Sequence, residues 1–84
     1  MTYTVFILRR AQKELSDLPG QDYPRVRDAI KGLAQNPRPA GCVKLTGREG
    51  WRIRVGDYRV LYDIDDPQRR VTVVHIGHRR DVYR

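Results

Sequence analysis

Residues 51–62 read WRIRVGDYRVLY, and the fold turns on how this stretch is arranged. Trp51, Ile53 and Val55 alternate with Arg52 and Arg54, the period of a strand with one buried face. Gly56-Asp57 suits a two-residue hairpin loop with glycine first, and the alternation resumes over residues 58–64. Such a loop sets Val55 opposite Tyr58, Arg54 opposite Arg59, Ile53 opposite Val60 and Arg52 opposite Leu61. One face then carries Trp51, Ile53, Val55, Tyr58, Val60, Tyr62 and Ile64, and the other carries Arg52, Arg54 and Arg59. Like charges directly opposite on a sheet cost a few tenths to about 1 kcal/mol. An anion between the guanidinium groups would offset that cost, and arginine forks match phosphate geometry. The plainer alternative is a solvated face partly neutralised by Asp57 or Asp63.

Working outward, residues 2–8 are rich in β-branched and aromatic side chains and predict a first strand. Ala11, Leu15 and Leu18 fall at helical spacing before Pro19-Gly20 stops the run. Asp22 is a candidate N-cap with Pro24 in the first turn, and Val26, Ala29, Ile30 and Leu33 form the apolar stripe of a second helix ending at Asn36-Pro37. Beyond the stiff connection at 36–41, residues 42–45 predict a short strand, 65–68 a turn and 69–76 a last long strand. The order describes one α+β domain, residues 1–84, with an N-terminal strand and two helices on one face of a mainly antiparallel sheet of about four strands. The opposite face is expected to stay open. His75 is read as a packed core histidine sharing the helix-covered face with Val71 and Val73.

Composition narrows the partners. The single Cys42 excludes an intramolecular disulfide framework, and with two histidines no spaced zinc-ligand set exists. Cys42 itself reads as a half-buried strand residue rather than a nucleophile. No apolar run approaches the length of a bilayer span, and TYTVFILRR lacks the features of a secretory leader, so a cytoplasmic protein without membrane contact is expected. A net charge of +7 favours a polyanionic partner, nucleic acid before membrane. The basic residues are 14 Arg and 3 Lys, a bias that suits phosphate contacts and stacking on bases, although a GC-rich genome would produce part of it. The tail extends the patch: a helical turn over residues 79–83 would put Arg79 and Tyr83 on one side.

The run KLTGREGWRIRVGDYRVLY, with GHRRDVY near the C-terminus, resembles the RelE branch of the RelE/ParE superfamily of toxins from type II toxin–antitoxin systems. The likeness covers the whole chain, and residues 56–62 are its most specific part. The resemblance implies a small endoribonuclease that cuts messenger RNA in the ribosomal A site, needs no metal or other cofactor and is held inactive by a cognate antitoxin. Carried over by position, its catalytic residues match Arg52, Arg54, Arg59, Arg79 and Tyr83. Lys44, Arg48 and Arg80 are read as contacts to RNA or the ribosome. The implied partners are the antitoxin, the ribosome with its mRNA and rRNA, and operator DNA through the antitoxin. Well-known members carry lysines where this chain has Arg52 and Arg54, and their tyrosine lies two residues further from the last arginine.

Metal-free cleavage requires a 2′-OH attacking the adjacent phosphate, with a base, an acid and charge stabilisation. Arg59 and Arg79 are candidates to neutralise the phosphorane, and Arg52 and Arg54 to hold phosphates. Tyr83 is the candidate base, because guanidinium groups favour a phenolate. His78 is the candidate general acid; without it, proton transfer falls to Tyr83 and water. The rivals are a ParE-like DNA gyrase inhibitor, which would not require this cluster, and a non-catalytic RNA- or peptide-binding module.

Overall fold

The computed structural model describes residues 2–80. Its elements are β1 (Thr4–Ile7), α1 (Arg9–Ser16), α2 (Tyr23–Gly32), β2 (Val43–Lys44), β3 (Trp51–Val55), β4 (Tyr58–Asp65) and β5 (Arg70–His78). They form an α+β domain in which two helices pack on a five-stranded sheet of order β1-β5-β4-β3-β2. Only β1 runs parallel to its neighbour, β5. The short strand expected over residues 42–45 is the two-residue β2, which pairs with Trp51 and Arg52 alone and makes the sheet five-stranded rather than about four. A turn closed by the Cys42 N–H on the Pro39 carbonyl, with Gly41 at φ 89°, carries the preceding chain away from β3.

The core is the predicted helix-covered layer. Ala11 and Leu15 of α1, with Val26 and Ile30 of α2 and the following Leu33, close on Ile53, Val60, Tyr62, Val71, Val73 and Ile76. Pro24 starts α2 without needing an amide donor, and the Asp22 side chain makes no capping bond although it holds the N-cap position. The helix ends at Gly32, before the predicted Asn36-Pro37 stop. Cys42 lies just ahead of β2 rather than in it and is half-buried against the core.

Two features depart from the expected pattern. First, the β4–β5 ladder slips at Leu61/Tyr62: Tyr62 pairs with Val73, whereas Leu61 pairs with His75. Val74 is thus the extra residue of a β-bulge, and every side chain after it changes face. His75 therefore leaves the face of Val71 and Val73. Its ring is only 14% exposed and packs against α1, with Nδ1 2.7 Å from Glu14 Oε2. Second, the face away from the helices is not wholly open, because Leu61 on it is buried.

Glu14 explains how β5 continues past the end of β1. Its Oε1 accepts the Ile76 N–H at 3.0 Å, standing in for the strand that stops at Ile7. At the other end of the sheet, Arg38 forms a two-bond fork on Asp66, and the Tyr3 hydroxyl donates to the same carboxylate. These bonds tie the 36–41 connection to the β4–β5 turn. The Tyr62 hydroxyl donates to the Pro37 carbonyl at 2.7 Å in the interior, and burial pushes its pKa well above the ordinary phenol value. Among the described residues, no helix is long and apolar enough to cross a membrane.

Candidate active site

The β3–β4 register is the one that the sequence predicts, with Arg54 opposite Arg59, Ile53 opposite Val60 and Arg52 opposite Leu61. Gly56 holds φ 60° at the first loop position, where a side chain would be strained, so glycine fixes both the turn and the register. Ile53 and Val60 are buried, while Arg54 between them in register is exposed on the other side. The arginines therefore sit on a rigid platform whose back is the core.

The hairpin tip also positions Arg79. Its N–H donates to the Asp57 carbonyl at 2.8 Å, which brings the chain after β5 against the Gly56-Asp57 loop. Arg59 reaches across with Nη1 to the Arg79 carbonyl, a long contact of 3.5 Å. Opposite Arg59 on β5 stands Gly77, which has no side chain to pair with it. Arg54 and Arg59 thus face each other in register, and the Arg79 backbone is held against the same end of the hairpin.

Arg52 lies one pair further along and faces a different set of neighbours. With Lys44, Arg48, Val43, Leu45 and Thr46 it lines a shallow groove of about 310 Å³. Lys44 also stands over the Trp51 ring at 5.6 Å, with Arg38 at 5.1 Å from the same ring. The site is therefore a basic strip running from the hairpin tip along β3 to the 45–50 loop.

The carboxylates that form ion pairs with arginine or lysine do so elsewhere. Glu14, Asp17, Asp28 and Asp66 pair with Arg10, Lys13, Arg27 and Arg38 respectively. Among the described residues, no carboxylate lies within ion-pairing distance of Arg52, Arg54 or Arg79, so neither Asp57 nor Asp63 neutralises them. Nor does any group of three or more His, Cys, Asp and Glu side chains among those residues lie where it could hold a metal ion.

His78 takes a different position from the arginines. Its register partner is Tyr58, and the two rings meet edge-on with centroids 5.8 Å apart. Tyr58 belongs to the face opposite Arg59, and the Arg80 N–H donates to His78 Nδ1 at 3.3 Å. Arg80 itself is exposed. Tyr83 falls outside the described residues. Sequence reasoning missed Glu14, which accepts the Ile76 N–H and holds the path of β5, and it set His75 on the wrong face. The only sequence signal for Glu14 is an acidic residue beside the core Leu15.

Comparison with known proteins agrees with this architecture. A family model described as the ParE toxin of the type II toxin–antitoxin system parDE matches residues 5–83. Toxin RelE of Mycobacterium tuberculosis is 37% identical over 84 residues, covering 98% of this chain and 87% of the relative. Toxin RelG of the same organism is 35% identical over 86 residues, covering 100% of this chain and 99% of the relative. Among solved structures, the archaeal RelE–RelB complex from Pyrococcus horikoshii OT3 aligns with TM-score 0.84 and 30% identity, over 98% of this chain and 100% of that one. Within a superfamily that carries the ParE name, the named relatives place the chain on one side. The chain belongs to the RelE branch of the RelE/ParE superfamily of type II toxins.

Proposed function

We propose that this chain is a ribosome-dependent, metal-free endoribonuclease that inhibits translation by cutting mRNA in the A site. The observation that carries the reading is the register pair Arg54–Arg59 with the Arg79 backbone bonded to the same hairpin tip, and no carboxylate among the described residues paired to Arg54 or Arg79. Guanidinium groups held together on a rigid sheet are matched to a phosphate and, more strongly, to the extra charge of a phosphorane.

In the reaction, the ribose 2′-oxygen attacks the adjacent phosphorus and its proton passes to a base. The P–O5′ bond then breaks, leaving a 2′,3′-cyclic phosphate and a 5′-hydroxyl that takes up a proton. Arg59 and Arg79 stabilise the phosphorane, and Arg52 and Arg54 hold the scissile and flanking phosphates. Tyr83 is the base. Lys44, Arg48 and Arg80 extend the strip along the RNA or ribosome. His78, turned toward Tyr58, is less well set for the acid role than for packing, so the second proton transfer rests on Tyr83 and water. The protein works in the cytoplasm and is silenced by a cognate antitoxin, a role supported by the toxin–antitoxin assembly of its archaeal structural relative.

The test is primer extension on mRNA bound to programmed ribosomes. In-frame cuts that require the ribosome, lost in Arg59→Ala and Arg79→Ala and strongly reduced in Tyr83→Phe, are the expected result. Full cleavage by Tyr83→Phe excludes the phenol as base. Salt-sensitive RNA binding with no cut product would favour a binding module.

A further inference from the structure

Beyond the end of β1, the edge of β5 is held by one side chain of α1. Glu14 Oε1 accepts the Ile76 N–H at 3.0 Å, and Oε2 lies 2.7 Å from His75 Nδ1, so a single carboxylate grips two successive residues. Arg10, one turn earlier on α1, stands against both partners, with Nε 3.4 Å from Glu14 Oε2 and Nη2 3.4 Å from His75 Nε2.

His75 and Ile76 are the first residues after the bulge at Val74, where two registers compete. In the bulged ladder Leu61 pairs with His75, Val60 with Ile76 and Arg59 with Gly77. Continued straight from the Tyr62–Val73 pair, the ladder would set Leu61 against Val74, Val60 against His75 and Arg59 against Ile76. His75 would then enter the core, and every residue up to Arg79 would arrive one position out of step. The two registers also aim the Ile76 amide differently. In a two-residue hairpin Val55 and Tyr58 exchange both backbone bonds, so Arg59 and Leu61 turn theirs toward β5. The bulged ladder therefore points the Ile76 N–H away from β4, where Glu14 meets it; the straight one would point it at Arg59. Burial of Ile76, 2% exposed, favours the bulged ladder from the core side, and the Glu14 bond favours it from the edge.

We infer that Glu14 is a positioning residue for Arg79. By accepting the Ile76 N–H it holds the register that sets Gly77 opposite Arg59 and ends β5 where the Arg79 N–H reaches the Asp57 carbonyl. Gly77 lies between these two holds and has no side chain to pack, so backbone bonds on either side of it set the course of the segment. Glu14 touches no group proposed to meet RNA and acts only through the strand. The inference deepens the nuclease reading above, on which its cleavage arm rests.

The experiment compares Glu14→Ala and Glu14→Gln with the parent chain, each below its melting temperature. A glutamine amide oxygen still accepts the Ile76 N–H, whereas alanine leaves it without an acceptor. Hydrogen exchange is measured at the Ile76 and Arg79 amides, and single-turnover A-site cleavage is measured together with ribosome affinity. In Glu14→Ala the Arg79 amide should exchange at least tenfold faster, and cleavage at saturating toxin should fall at least tenfold while the ribosome dissociation constant stays within threefold. Glu14→Gln should bring exchange and cleavage back to within threefold of the parent. Should alanine unfold the chain, Glu14→Asp takes its place, since it keeps the charge but is one methylene shorter, and the same changes are expected. Parent-like Arg79 exchange or parent-like cleavage in the folded alanine or aspartate variant overturns the inference, as does a glutamine variant that fails as badly as alanine. Faster Arg79 exchange in Glu14→Ala, with no cleavage by any chain including the parent, refutes the nuclease reading and leaves the hold of Glu14 on Arg79 standing.

Discussion

The two faces of the β3–β4 hairpin share a backbone and a register but have opposite requirements. On the inner face Ile53, Val60 and Tyr62 are buried beneath the helices, and each contributes to stability in proportion to the apolar area it removes from water. On the outer face Arg54 stands opposite Arg59, a like-charge pair whose mutual repulsion opposes folding and would be offset by a bound anion. One residue of sequence separates the two regimes. The lesson is that an alternating strand can carry a stabilising and a destabilising set of side chains at once, provided the register never slips.

The largest effect is expected from breaking that register. Gly56→Val places a β-branched residue at φ 60°, a strain of about 1–2 kcal/mol or more, and should disturb both faces together. Its melting temperature and its ribosomal cleavage should fall in parallel. Next comes Ile53→Ala, which removes packing at a position 6% exposed and should cost about 2–5 kcal/mol in denaturant unfolding. Its neighbour Arg54→Ala should do the reverse, leaving stability unchanged or raised by up to about 1 kcal/mol while lowering cleavage.

Tyr62→Phe isolates a single inner-face bond. It leaves the Pro37 carbonyl without its donor, and a loss of about 1–3 kcal/mol with little change in cleavage is expected.

The smallest effect belongs to the exposed Arg38–Asp66 fork. The Arg38 bonds, then the Tyr3 hydroxyl, hold the Asp66 carboxyl at about 2, below the ordinary aspartate value of 3.8. Because the folded pKa is the lower one, the fork's contribution is complete above the unfolded value and lost as the pH falls toward 2. Melting temperature measured across that window should drop less steeply in Asp66→Asn than in the parent chain.

How much of this was legible in the sequence follows from what each feature depends on. The hairpin register was readable because Gly56-Asp57 fixes loop length and the alternation on either side fixes the face. The inner core was readable for the same reason. The bulge at Val74 was not, because Val71, Val73 and Val74 look alike to a period-two reading, and so His75 was assigned to the wrong face. The shortness of β2 depends on a turn closed by backbone bonds at Pro39–Cys42, which no side chain announces. Glu14 acts over 62 residues of separation, on an amide exposed only because β1 ends early. The outer-face arginines were visible as a pattern, whereas the approach of Arg79 needed the Asp57 carbonyl, a contact between two loops.

On the reading proposed above, the outer face is built for a phosphate and not for stability. That claim is tested most directly by measuring A-site cleavage rate and thermal unfolding on one preparation of Arg59→Ala. The expected result is a loss of cleavage of about 10²–10³-fold, the scale of removing an oriented donor from a developing negative charge, with the fold retained. Cleavage at the parent rate, with the melting temperature lowered as for a core substitution, would contradict it.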